Sequence, residues 1–222
     1  MLTVVAMVIA ASAAPPPPGA PAERVVEEVV AVVRNPRGAP PRIVTLTKLG
    51  EEARIAFVSR GATAAATEPL DRAALRAALE WLLDEMLIAD EAGRLRVAEV
   101  GREEAVAELG RFRARFAAPA DYDRFLAESE VGEEEILVSL ARTLKVRRYL
   151  ASLVGSAVRV GEDDVDRWLR ERGAPGAGAV ARDAARSQMV EERARAQVKE
   201  LVAELRGRAD VRIVGMRDGS GG

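Results

Sequence analysis

The apolar residues of this chain fall into short β-branched runs near its two ends and long helical stripes between them. Val25-Val26-Glu27-Glu28-Val29-Val30-Ala31-Val32-Val33 is rich in side chains that pack well on a pleated surface, and it reads as a strand. Asn35-Pro36-Arg37-Gly38 supplies turn chemistry, and Arg42-Ile43-Val44-Thr45-Leu46 reads as the return strand of a hairpin. Near the other end, Val211-Arg212-Ile213-Val214 alternates as a final strand.

Between the strands the period changes to that of a helix. Thr47 is the expected cap of a helix over 47–59, and 61–69 reads as a loop of small residues. Asp71 opens the strongest stripe, over 71–92, where Leu75, Leu79, Leu82, Leu83, Met86 and Leu87 recur at three- and four-residue spacing until Gly93. One device then appears three times, in Val100-Gly101-Arg102-Glu103-Glu104, Val131-Gly132-Glu133-Glu134-Glu135-Ile136 and Val160-Gly161-Glu162-Asp163-Asp164-Val165. Each opens a helix, since glycine is an acceptable N-cap and acids in the first turn face the positive end of the helix dipole. Val131 with Ile136, and Val160 with Val165, have the spacing of hydrophobic staples. These starts predict helices over 101–116, 132–153 and 161–172, with a short one over 121–127. Gly173, Pro175, Gly176 and Gly178 form a linker, and 180–206 is again helical. Its thin face of Met189, Val198, Leu201, Val202 and Leu205 needs a neighbour to pack against. A flexible tail over 215–222 ends the chain.

Composition narrows the chemistry. The chain contains no His, the commonest general base, and no Cys, which excludes Ser-His-Asp and Cys-His catalysis, disulfides and thiolate zinc sites. No cofactor or metal site is expected, because carboxylates at helix starts splay around the axis and lack the spacing of a calcium loop. Basic and acidic residues number 33 and 35 and are mixed along every segment, so no basic stripe exists to follow a nucleic-acid backbone. The apolar run Leu2 to Ala14 is too short to span a bilayer, which takes about 20 residues, but it matches the core of a secretory signal. Residues 1–22 are therefore expected to be a signal peptide followed by a Pro/Ala linker, with an Ala/Val-rich tail as the alternative, and 23–214 to be one domain. That reading makes the protein periplasmic and without a stable membrane span.

The large apolar side chains carry two competing readings. Trp81 and Met86 lie on the stripe over 71–92, Phe112 and Phe116 stand close to Tyr122 and Phe125, and Tyr149 and Trp168 follow on later helices. Position on a helical stripe favours a core role. The same six residues, Trp81, Met86, Phe112, Phe116, Tyr149 and Trp168, are the candidates for a peptide-binding surface.

Several stretches in this order, Val29-Val30-Ala31-Val32-Val33, Ile43-Val44-Thr45-Leu46-Thr47-Lys48-Leu49, Leu79-Glu80-Trp81-Leu82-Leu83-Asp84-Glu85-Met86-Leu87, Phe125-Leu126 and Leu144-Lys145-Val146-Arg147-Arg148-Tyr149-Leu150, resemble the N-terminal region of SurA-type and related periplasmic peptidyl-prolyl isomerase proteins. The resemblance implies a mainly α fold, a SurA N-terminal-like helical module in which a small sheet joins the N- and C-terminal strands. It implies an ATP-independent chaperone for unfolded or extended segments of envelope proteins. Where that family carries a parvulin-type isomerase domain, this sequence has only the Gly/Pro/Ala linker, and the family's active-site histidines have no counterpart, so no enzyme activity is expected. The alternative is a non-catalytic assembly protein using the same groove for one fixed partner or for self-association.

Overall fold

The computed structural model describes residues 28–34, 41–157, 159–174 and 176–214. The expected signal segment and linker, the first residues of the Val-rich run, the hairpin turn at Asn35 to Gly38, Pro175 and the tail lie outside the described residues. Among the described residues three strands and seven α-helices follow one another: β1 (Val29–Arg34), β2 (Arg42–Thr45), α1 (Leu46–Ser59), α2 (Arg72–Arg94), α3 (Arg102–Arg113), α4 (Pro119–Ser129), α5 (Glu133–Ala157), α6 (Glu162–Glu171), α7 (Ala179–Arg208) and β3 (Asp210–Ile213). The fold is mainly α with a small antiparallel sheet.

The sheet has the order β2-β1-β3, so the last strand lies beside the first. Ala31 opposes Val44 on one side and Ile213 on the other, and Val33 opposes Arg42 and Val211. A register shift between Val29 and Ala31 inserts one extra residue in β1. Strict alternation would turn either Val30 or Ala31 outward, yet both are fully buried, because the bulge re-aims the chain at that point. Both edge strands are only four residues long, which limits their use as templates for further pairing.

Most helix starts follow their local chemistry. Asp71 accepts the Ala74 N–H at 2.7 Å, and Glu104 and Asp164 reach back to the Gly101 and Gly161 N–H groups at 3.0 and 3.4 Å. These glycines supply no capping side chain, so of the orphan donors at the helix start the acid three residues on takes the N–H of the glycine itself. The expected staples form: Val131 and Ile136 share one buried cluster, and Val160 and Val165 another. Some expectations are corrected. Thr45, not Thr47, caps α1, its hydroxyl accepting the Lys48 N–H at 3.2 Å, and Leu46 leaves the strand to become the first helical residue. Residues 63–66, read as loop, make a 3-10 turn, held by Arg54 donating to the Ala66 and Glu68 carbonyls.

The apolar interior divides into three clusters. The first joins the sheet to α1, α2, the C-terminal half of α5 and the end of α7, through Val30, Val33, Val44, Leu49, Leu79, Leu83, Val146 and Leu205. The second is aromatic and joins the end of α1 to α3, α4 and the start of α5, through Ile55, Phe112, Tyr122, Phe125, Ile136 and Leu140. The third is small: Val165, Leu169, Ala185 and Met189 hold α6 against the start of α7. At 30 residues, α7 is about 45 Å long, so one helix spans from the first cluster to the third.

Two helices, α1 and α5, contribute to both large cores, and a buried ionic network occupies the seam between them. Glu52 accepts from Ser139 at 2.7 Å and from the Arg142 guanidinium at 2.6 and 3.3 Å. Glu85 accepts from Thr143 at 2.6 Å and lies 3.7 Å from Arg142 Nε. Two buried carboxylates thus share one arginine, and Glu85 Oε2 has no hydrogen-bond partner. Burial pushes the Glu85 pKa above the ordinary carboxylate value, against the pull of Arg142 and Thr143.

Candidate functional site

The six apolar candidates do not converge. Met86 and Tyr149 are buried in the first cluster and Phe112 in the second, with 8%, 7% and 3% of their surface exposed, so these three are core residues. Trp81 is half-buried on the rim of the first cluster, with the Arg60 guanidinium 4.7 Å from its ring centroid. Trp168 packs on the third cluster under Arg172, at 3.8 Å. Phe112 and Phe116 are in ring contact, at 5.7 Å between centroids.

That pair marks the part of the surface where concave features gather. Phe112, Phe116, Tyr122 and Phe125 contact one another at 5.5–6.4 Å in edge-on and tilted arrangements, the geometry aromatic rings prefer. Phe125 is fully enclosed, whereas Phe116 remains partly exposed. An open cleft lies on each side. One, of about 520 Å³, is lined by Phe116, Ala117, Pro119 and Tyr122 with Arg113 and Glu133 on its rim. Tyr122 donates to Glu133 at 2.9 Å, and Arg113 pairs with the same carboxylate. Hydrogen bonds from Arg113 and Tyr122 hold the Glu133 carboxyl below its ordinary pKa, so it stays charged.

The second cleft, of about 430 Å³, runs between α3 and α5. Its floor is Phe112, Leu140 and Leu144, and its walls are Ser59, Glu108, Arg111, Arg115 and Arg147. On α3 and the turn after it, Glu108, Arg111, Phe112 and Arg115 follow the i, i+3, i+4, i+7 rule for one helical face, and on α5 Leu140, Leu144 and Arg147 do the same. The facing stripes make the cleft. Glu108 accepts from Arg111 at 2.8 Å and from Arg147 at 3.1 Å. Partial burial works against its charged form, but those two hydrogen bonds outweigh it and depress its pKa.

The face of α2 is closed by comparison. Leu201, Val202 and Leu205 of α7 pack over it, and Arg206 fastens the two helices through Asp84 at 2.5 Å and Glu80 at 2.7 Å. A shallow, largely apolar cleft of about 470 Å³ remains beside this seam, lined by Asp84, Ala194, Arg195, Val198, Lys199 and Val202. The acids of the helix starts serve ion pairs: Glu104 with Arg148, Glu162 with Arg182 and Arg186, and Asp164 with Arg193 at 2.9 Å. Among the described residues no group of three His, Cys, Asp or Glu side chains is placed to hold a metal ion. No described helix is long and apolar enough to cross a membrane.

The arginines of the second cleft escape a search that ranks large apolar residues. The signal that finds them is the run of Glu108, Arg111 and Arg115 along one face of α3 and the turn after it, opposite Leu140, Leu144 and Arg147 on α5. No protein-family model matches the chain, and no curated protein matches it significantly.

Proposed function

We propose that this chain is a non-enzymatic, ATP-independent holdase that binds unfolded or extended segments of envelope proteins. One observation carries the reading: two open clefts with apolar floors and charged rims flank a single aromatic cluster. Short apolar floors suit one or two side chains of an extended segment, and polar rims tolerate whatever sequence continues past them. Affinity for any one segment is modest, because ordering a disordered client costs entropy at each contact. The resemblance to the N-terminal module of SurA-type proteins points the same way, and the absence of His and Cys supports a role without catalysis. The periplasmic setting rests on the apolar leader Leu2 to Ala14.

Purified chain, mixed with a urea-unfolded outer-membrane protein as the denaturant is diluted, slows its aggregation without ATP. No delay of aggregation, together with no binding to a library of extended peptides, removes the reading. A second reading has one observation in its favour. The apolar face of α2 is already occupied by α7, as in an assembly protein whose groove is committed to a fixed occupant. A partner seated beside α7, or self-association through the side of that helix that carries the half-buried Val198, distinguishes it.

A further inference from the structure

We propose that the cleft between α3 and α5 is a carboxylate-recognising subsite, which takes an Asp or Glu side chain of an extended peptide together with the apolar side chain next to it. The proposal deepens the holdase reading and rests on it.

Charge bookkeeping along α3 and α5 picks out this cleft. Elsewhere on their interface each cation meets its own acid: Arg148 pairs with Glu104, Lys145 with Glu99 at 2.5 Å, and Arg113 with Glu133. Around the cleft three arginines surround one carboxylate. Glu108 is already shared between Arg111 and Arg147, and among the described residues Arg115 has no ion-pair partner. The rim therefore carries an excess of two positive charges on a chain whose net charge is −2. Ser59, at the end of α1, adds a hydroxyl that is buried and has no hydrogen-bond partner.

The chemistry of the occupant follows from that lining. Guanidinium groups present paired donors that match the two oxygens of a carboxylate, and charge-assisted hydrogen bonds are roughly twice as strong as neutral ones. Of the floor, Phe112 and Leu140 are buried and Leu144 is half-buried, so the apolar surface on offer is small and suits one apolar side chain next to the acid. Nucleic acid fits poorly, since it needs a basic track longer than one cleft and offers little to an aliphatic floor. An acidic residue beside an apolar one on a single extended chain satisfies both halves.

The test uses the full chain, labelled at Leu and Val methyls, and two synthetic peptides of identical apolar sequence, one carrying Asp and Glu and the other Asn and Gln. The acidic peptide is expected to bind about tenfold more tightly at low salt, equivalent to about 1.4 kcal/mol, and to shift the methyl signals of Leu140 and Leu144. Added salt reduces the preference. Arg115→Glu, an exposed substitution that breaks no ion pair, abolishes it, while Arg170→Glu on α6 leaves it intact. Equal affinity for both peptides, or a preference that survives Arg115→Glu, overturns the subsite and leaves general polypeptide binding standing. Binding of neither peptide overturns both. Anionic vesicles or RNA shifting the same methyls, with the acidic peptide inert, would replace the peptide by a different anion. Acidic-peptide binding without any delay of client aggregation supports the subsite and reduces the proposed function to peptide binding.

Discussion

The two large cores of this protein are built from different side chains and end differently at the surface. The sheet-side core is mostly aliphatic and more closed: β3 returns to pair with β1, α7 lies over α2, and Arg206 locks the seam. The other core is aromatic and stands between two open clefts. Its rings are large and rigid, so a few residues fill the interior between α3 and α4, which have 12 and 11 residues, while Phe116, on the turn between them, stays partly exposed. One half of the molecule spends its apolar surface on joining the chain's two ends. The other leaves part of it available.

If the halves differ in this way, substitutions should separate them. The largest effect is expected from Phe125→Ala, which empties a fully buried site in the aromatic core and costs about 3–5 kcal/mol in denaturant unfolding. Amide exchange in α3 and α4 should then accelerate more than in β1. Glu52→Ala comes next, at about 3 kcal/mol, the lower end for breaking a buried ion pair, because Arg142 keeps Glu85 within 3.7 Å. This residue sits at the seam, so both halves should loosen together, and exchange confined to one half would break the comparison. Leu205→Ala removes a contact of α7 with the sheet-side core, costs about 2 kcal/mol and should free α7 without altering the aromatic cluster.

The smallest effect tests the seam electrostatically. The folded pKa of Glu85 is raised above its ordinary value of 4.5, so protonation favours the native state. Its stabilising contribution is present below about pH 4.5 and is lost as pH rises through the raised folded value. Glu85→Gln mimics the protonated form. It should be about 1 kcal/mol more stable than the parent at pH 8, with the difference vanishing toward pH 4.5, as read by urea unfolding across that range. A variant less stable than the parent at pH 8 would mean that Arg142 depends on both carboxylates.

Much of the framework was legible from local chemistry. Asp71, Gly101, Gly132 and Gly161 announce helix starts within a residue or two, and the Val-rich ends announce strands, whose joining in one sheet only the family resemblance implied. The bulge at Val30 was not legible, since β1 is hydrophobic on nearly every residue and alternation gives no register there. Glu52, Glu85 and Arg142 carry no sequence signal that marks them for the interior, and only the tertiary crossing of α1, α2 and α5 buries the two carboxylates around a half-buried Arg142. The six apolar candidates are spread through the fold for a related reason. Size and aromaticity select Met86, Phe112 and Tyr149, and the same properties make them core. The residues that shape the α3–α5 cleft are arginines and leucines of ordinary type, made distinctive by which helices face each other.

The claim that the aromatic half is the receiving surface can be tested by one methyl and amide chemical-shift map of the full chain titrated with an unfolded outer-membrane protein segment. The account predicts perturbations at Phe116, Leu140 and Leu144, with β1, α2 and β3 unmoved. Perturbations confined to Val198 and Val202 beside the α2–α7 seam, or none at all, would contradict it.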